Sequence, residues 1–180
     1  MMIRMNKPVL YFITGISGSG KTTVGRKLVE LGEVAFDSKI QKGLFHFADK
    51  NGNQPENYQP NNNAWMQRYR WILNKPMFDE LMEQNRNTRR VFLCGGAEDL
   101  IQYWPQGKKV FLLKVDSKTM LKRLQEEKRD NNFGKDKQTQ DRLLERLDRY
   151  QNKMISLGAI SIDAIRPINE VIKGILNQAN

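Results

Sequence analysis

The chain has 180 residues, 39% of them hydrophobic and 28% charged, which suits one α/β domain spanning 1–180 and leaves little for a second. A single cysteine, Cys94, excludes an internal disulfide, and no apolar run is long enough to cross a bilayer, so a reducing, cytoplasmic location is expected. The formal charge of +10 admits nucleic acid as a partner, but no Lys/Arg run exceeds two residues, which weighs against a dedicated nucleic-acid arm.

Residues 1–7 are too short and too quickly interrupted for a signal peptide. The apolar run Val9-Leu10-Tyr11-Phe12-Ile13 then predicts a buried strand. It leads into Gly15-Ile16-Ser17-Gly18-Ser19-Gly20-Lys21-Thr22, which fits G-x-x-x-x-G-K-[ST] at every fixed position and is followed by Thr23. Val24, Leu28 and Leu31 recur at helical spacing, so the loop joins a strand to an amphipathic helix. That context is the one in which backbone N–H groups and a helix N-terminus converge on phosphate oxygens. The expected ligand is a nucleoside triphosphate such as ATP, with Lys21 reaching its outer phosphates and the Thr22 hydroxyl ligating Mg²⁺.

Gly32 ends the first helix, and residues 33–37 predict a second strand closed by Asp37. Ligands of open parallel sheets gather at the carboxyl ends of strands. Asp37 is therefore a candidate to position Mg²⁺, or to orient and deprotonate an acceptor hydroxyl, against the plainer role of a helix cap. Residues 38–63 are polar and turn-rich, with six asparagines from Asn51 to Asn63, and read as an irregular loop. Inside it Gly43-Leu44-Phe45-His46-Phe47 is a short apolar anchor, with His46 structural in role. The stretch 64–73 is dense in aromatics and holds Arg68 and Arg70. It fits either a base-stacking, phosphate-holding segment or rings packed on the sheet with arginines directed outward. Residues 38–75 as a whole are expected to form an acceptor-side insertion.

Pro76 opens a helix carrying Phe78, Leu81 and Met82. Residues 90–94 predict a third strand running into Gly95 and Gly96, which permit close approach of a ligand or backbone. Glu98 and Asp99 follow, as acids near the site or as the opening of a helix. A fourth strand at 109–115 precedes a helix capped by Asp116 or Ser117. The basic stretch Lys128–Lys135 follows, within a lid expected over 128–138. Arg123, Lys128, Arg129 and Lys135 are placed to neutralise charge on a moving phosphoryl group, and between residues 118 and 153 eleven basic residues face seven acidic ones. Leu143, Leu147, Tyr150, Met154 and Leu157 form a core-facing stripe, and a fifth strand at 158–163 and a last helix complete the chain.

These features resemble the small P-loop kinases of the nucleoside-monophosphate, shikimate and gluconate kinase superfamily and the compact bacterial AAA-type, adenylate-kinase-like proteins. The likeness covers almost the whole chain, and its most specific part is Gly15 to Thr22. It implies a three-layer α/β P-loop NTPase fold with a five-stranded parallel sheet and helices on both faces. It also implies a phosphotransferase that uses ATP and Mg²⁺ on a small-molecule acceptor, expected to be a nucleoside or nucleotide. By the same resemblance Asp37 positions Mg²⁺ or the acceptor, Arg123 and Arg129 grip phosphates, and Arg166 borders the adenine. The stretch Cys94-Gly95-Gly96-Ala97 lacks the Asp-Gly-x-Pro-Arg of nucleoside-monophosphate kinases and is closer to the strand ends of shikimate and gluconate kinases. Two other classes stand beside this one: a polynucleotide 5′-hydroxyl kinase, favoured by the charge, and a regulatory nucleotide-binding module without transfer activity.

Overall fold

The computed structural model describes residues 7–59, 62–96, 98–126 and 133–179. Arg129 and Lys128 lie outside these residues, as does the first half of the expected lid. In chain order the elements are β1 (Val9–Thr14), α1 (Lys21–Glu30), β2 (Val34–Phe36), β3 (Phe45–Ala48), α2 (Asn63–Arg68), β4 (Arg70–Leu73), α3 (Lys75–Gln84), β5 (Arg90–Cys94), a 3-10 helix (Glu98–Gln106), β6 (Lys109–Lys114), α4 (Ser117–Gln125), α5 (Lys137–Ser156), β7 (Ile160–Asp163) and α6 (Ile168–Gln178).

Five of the strands form a parallel sheet in the order β2-β5-β1-β6-β7. The apolar run of β1 is central because it has to be covered on both faces and paired at both edges. Val9–Ile13 pairs with Arg90–Cys94 on one side, and Tyr11–Thr14 with Lys109–Leu112 on the other. Side chains alternate across the sheet. Tyr11, Ile13, Phe92, Phe111 and Leu113 meet Val24 and Leu28 of α1, Leu124 of α4, Leu147 of α5 and Ile175 of α6. Leu10, Phe12, Leu93 and Leu112 meet Phe78 of α3, Leu100 of the 3-10 helix and the apolar residues of β3 and β4. The two half-cores make three layers, as the near-continuous apolar strands predict. No helix among the described residues is long and apolar enough to cross a membrane.

The stretch 38–63 departs from the irregular loop expected of it, because it contains β3. β3 and β4 pair antiparallel, Phe45 opposite Leu73 and Phe47 opposite Trp71, as a separate two-stranded sheet. No tight-turn signal marks this pairing, because some twenty residues separate the strands. Within that connection the Asp49 carboxylate accepts the backbone N–H groups of Asn51 and Asn53, both at 2.9 Å, and the Trp65 indole donates to the Asn57 carbonyl at 2.9 Å. The asparagines thus serve local turns. Asp99 does not open onto the phosphate loop. Its carboxylate accepts the Leu73 N–H at 3.0 Å and ties the hairpin to the 3-10 helix, and burial pushes its pKa up.

At the amino end of the sheet, Arg90 makes a forked pair with Glu33, its Nε 2.9 Å from Oε2, and donates through Nη1 to the Ala179 carbonyl at 2.6 Å. The Arg90 hydrogen bond holds the Glu33 carboxyl below its ordinary value. A depressed folded-state pKa adds stability above the unfolded pKa and loses it as pH falls through the folded value. Glu33→Gln is therefore expected to cost about 2 kcal/mol at neutral pH, since a charge-assisted hydrogen bond to a largely covered partner is lost. The gap from wild type should close under acid conditions. Urea melts of both proteins at pH 7 and pH 3 measure this; a gap that is equal at both would rule the pair out.

Candidate active site

Strand β1 delivers the chain into the P-loop at the centre of the sheet's carboxyl edge. Gly18 and Gly20 take φ of 85° and 98°, the left-handed region that glycine occupies without strain, and Gly20 is the N-cap of α1. No side chain caps the helix, and the first amides of α1 point toward the loop that precedes it. The Lys21 ammonium lies over this loop and donates to the carbonyls of Gly15 (2.6 Å) and Ile16 (3.0 Å). Gly95 and Gly96 lie close by. A Cβ at Gly96 would be 3.2 Å from the Gly15 carbonyl oxygen and 3.4 Å from Lys21 Cε, so the end of β5 lies against the loop. Ser17 and Thr23 line the same cleft. Ser19 is buried, and its Oγ has no hydrogen-bond partner among the described residues.

Thr22 and Asp37 meet as their positions in chain suggested. Thr22 Oγ1 donates to Asp37 Oδ2 at 2.8 Å. The other carboxylate oxygen accepts the N–H groups of Lys39 (2.6 Å) and Ile40 (3.2 Å), and Gln41 accepts the Asp37 N–H at 2.9 Å. Asp37 is only 3% exposed, yet three of the roughly four acceptor sites of a carboxylate are used. Because the Thr22 proton is committed to Asp37, the lone pairs of its oxygen remain for a cation. Two hard oxygen donors side by side suit Mg²⁺.

The three arginines of the sequence reading fall differently. Arg123, on α4, donates to the carbonyls of Ser19 (3.2 Å) and Ala164 (2.7 Å), bridging the P-loop to the turn after β7. It sits against the loop on a packed helix, not on a lid. Arg166 lies at the cleft rim, exposed and paired with Asp163 (3.2 Å) and Glu170 (3.1 Å). Arg129 lies outside the described residues. Cys94 is buried at the end of β5, and desolvation pushes its thiol far up, which removes it as a nucleophile at neutral pH.

Sequence reasoning missed the polar face of α5. Arg142 and Arg146 recur at a step of four and line the cleft; Tyr150, expected in the core-facing stripe, packs against the core and lines the cleft as well, Leu143 and Leu147 fill the core, and Leu157, expected beside them, is exposed. Tyr150 exchanges a 2.9 Å hydrogen bond with Thr14, the residue before the P-loop. The four-residue step of Arg142 and Arg146 was the available signal. The whole cleft measures about 1590 Å³ and runs from this face across the P-loop to the β3–β4 hairpin. Eight basic residues line it against two acids among the described residues, Asp37 and Glu126, so it is built for a highly charged anion.

The AAA domain family matches the chain over residues 12–149, well over half its length. No protein of curated function matches it in sequence. Among solved structures it is similar to a deoxyadenosine kinase from M. mycoides with bound dATP, at 16% identity and a TM-score of 0.53, over 96% of this chain and 100% of that one. It is also similar to a shikimate kinase from Acinetobacter baumannii in complex with shikimate, at 18% identity and a TM-score of 0.60, over 97% and 94%. A shikimate kinase from Aquifex aeolicus matches at 20% identity and a TM-score of 0.55, over 95% and 96%. The chain belongs to the AAA domain family and has the five-stranded α/β fold that these small P-loop kinases share.

Proposed function

We propose that the protein is a cytoplasmic phosphotransferase that moves the γ-phosphoryl group of ATP to a small-molecule acceptor, a nucleoside or nucleotide. The observation that carries this reading is the Thr22–Asp37 hydrogen bond beside the Lys21-covered loop, in a cleft with room for a second molecule. The loop amides and the Lys21 ammonium bind the polyphosphate and stabilise charge on the moving group. Thr22 and Asp37 would hold Mg²⁺, which would supply further charge neutralisation. Arg123 fixes the loop against the 164 turn and directs its charge at the same anion, and Arg142 and Arg146 face it from α5. Arg166 borders the nucleotide at the rim. The acceptor oxygen forms the new bond to phosphorus, the bond to the β–γ bridging oxygen breaks, and ADP leaves. Asp37 orients the acceptor and, where that is a hydroxyl, receives its proton.

Bringing the acceptor and the γ-phosphate together in one closed cleft also keeps water from reacting. Similarity to solved kinases of nucleosides and of shikimate supports transfer to a small molecule. The basic cleft favours one second reading, a polynucleotide 5′-hydroxyl acceptor. ADP release, followed in the presence of nucleosides, nucleotides, shikimate-like acids, sugar acids and 5′-hydroxyl oligonucleotides, tests both. At least one nucleoside or nucleotide is expected to raise turnover well above the hydrolytic background. If no compound does, the protein is a binding module; if only oligonucleotides do, the second reading replaces the first.

A further inference from the structure

The β3–β4 hairpin contributes a large part of the cleft wall that phosphate handling does not explain. Its register places Phe45 and Phe47 on the same face as Leu73 and Trp71. Phe45 and Leu73 are buried in the core, and the Phe45 ring sits on Gly95, where a Cβ would come within 2.6 Å of it. The hairpin is thereby seated on the carboxyl end of β5, next to the P-loop. One step outward, Phe47 and Trp71 are only half-buried, and both line the cleft that holds Lys21 and Asp37. Their ring centroids are 4.8 Å apart and their planes are tilted by 55°, so they form an aromatic corner.

That corner is rigidly backed. Trp65 packs edge-on against Phe47 at 4.9 Å, Asp99 holds the Leu73 N–H, and the Asn74 N–H donates to the Leu44 carbonyl at 2.8 Å. A planar ring placed in such a corner stacks on one face and meets the edge of the other. The charge beside it is positive. Arg26, Lys39 and Arg70 line the same cleft, and Asp37, one of its two acids among the described residues, already accepts three hydrogen bonds.

We propose that Phe47 and Trp71 form the platform on which the acceptor's ring stacks, with Arg70 meeting a negative group on it, so that the acceptor is a nucleoside monophosphate. The proposal rests on the kinase reading above and narrows it: a ringless sugar acid or an alicyclic acid has no planar face to stack in the corner.

Tryptophan emission tests it on the full chain, with the triphosphate site first saturated by Mg·AMP-PNP. Adding purine and pyrimidine nucleoside monophosphates is expected to quench the emission saturably, while shikimate and gluconate do not. In Trp71→Phe the ring platform persists, so calorimetric affinity should stay within a few-fold of wild type while the quench falls to what Trp65, packed on Phe47, reports. In Trp71→Ala the Kd for the monophosphate is expected to rise by roughly tenfold or more, the loss of one stacked ring. If AMP-PNP binds but no monophosphate does, or if shikimate binds more tightly, the platform is wrong and the kinase reading stands. An unchanged Kd in Trp71→Ala likewise overturns it. If that variant fails to fold, Phe47→Leu decides by calorimetry: a Kd unchanged from wild type contradicts the proposal. If AMP-PNP itself does not bind, the phosphate site and the proposal fall together.

Discussion

Lys21→Ala is expected to lower phosphoryl transfer roughly a thousandfold, the scale on which enzymes lose rate when one preorganised charge or donor facing the developing anion is removed. The stability cost should be small, within about 1 kcal/mol, because the side chain bonds to carbonyls of its own loop and alanine is at least as good a helix former. Rate and stability therefore separate, which distinguishes this change from a loop that has simply collapsed. Lys21→Arg should not restore activity. The planar guanidinium is bulkier than a compact ammonium, and a Cβ placed on Gly96 would already stand 3.5 Å from the Lys21 Nζ, so there is little spare room beside it. Steady-state rates at saturating acceptor, with a thermal melt of each variant, make the comparison. Transfer within a few-fold of wild type in Lys21→Ala would remove the lysine from the site.

Asp37→Asn is expected to reduce transfer roughly a hundredfold for a different reason. The carboxylate only accepts hydrogen bonds, from the Thr22 hydroxyl on one oxygen and from two backbone amides on the other. An amide can keep its oxygen on the backbone pair, but its NH₂ then faces Thr22. The hydroxyl must turn, and its lone pair is consumed by that NH₂. The loop survives at a cost of about 1 kcal/mol, the scale of one hydrogen bond, while the negative charge beside Thr22 is gone. Rates titrated against Mg²⁺ separate the two roles of Asp37. A raised Mg²⁺ requirement with an unchanged acceptor KM assigns it to the metal; the reverse pattern assigns it to the acceptor. Full activity at every Mg²⁺ concentration would dismiss both.

What was readable in the sequence was what depends on local pattern. The P-loop, its flanking strand and helix, and the five apolar strands follow from spacing and burial within short windows, and the sheet contains those five strands. Asp37 was readable because a strand end in a parallel sheet is a fixed place, so its neighbourhood could be anticipated without its partners. The hairpin was not, since Phe45 to Leu73 pair across a long connection and the aromatic cluster of α2 and β4 satisfies several structures equally well. Arg123 is legible as a cation near the phosphates, but not its partners: α4 packing directs it at two main-chain carbonyls. Arg142 and Arg146 were hidden by their own helix, whose apolar stripe explained the periodicity so fully that the opposite edge drew no attention.

Titration calorimetry of Mg·ATP into the wild-type protein and into Lys21→Ala addresses the phosphate-binding loop most directly. Saturable heat with one site per chain is expected for the wild type, together with a raised melting temperature, and both should be largely lost in the variant. Wild-type protein that shows neither heat nor thermal protection, or a variant that binds Mg·ATP equally well, would contradict the assignment of Gly15–Thr22 as the seat of the triphosphate.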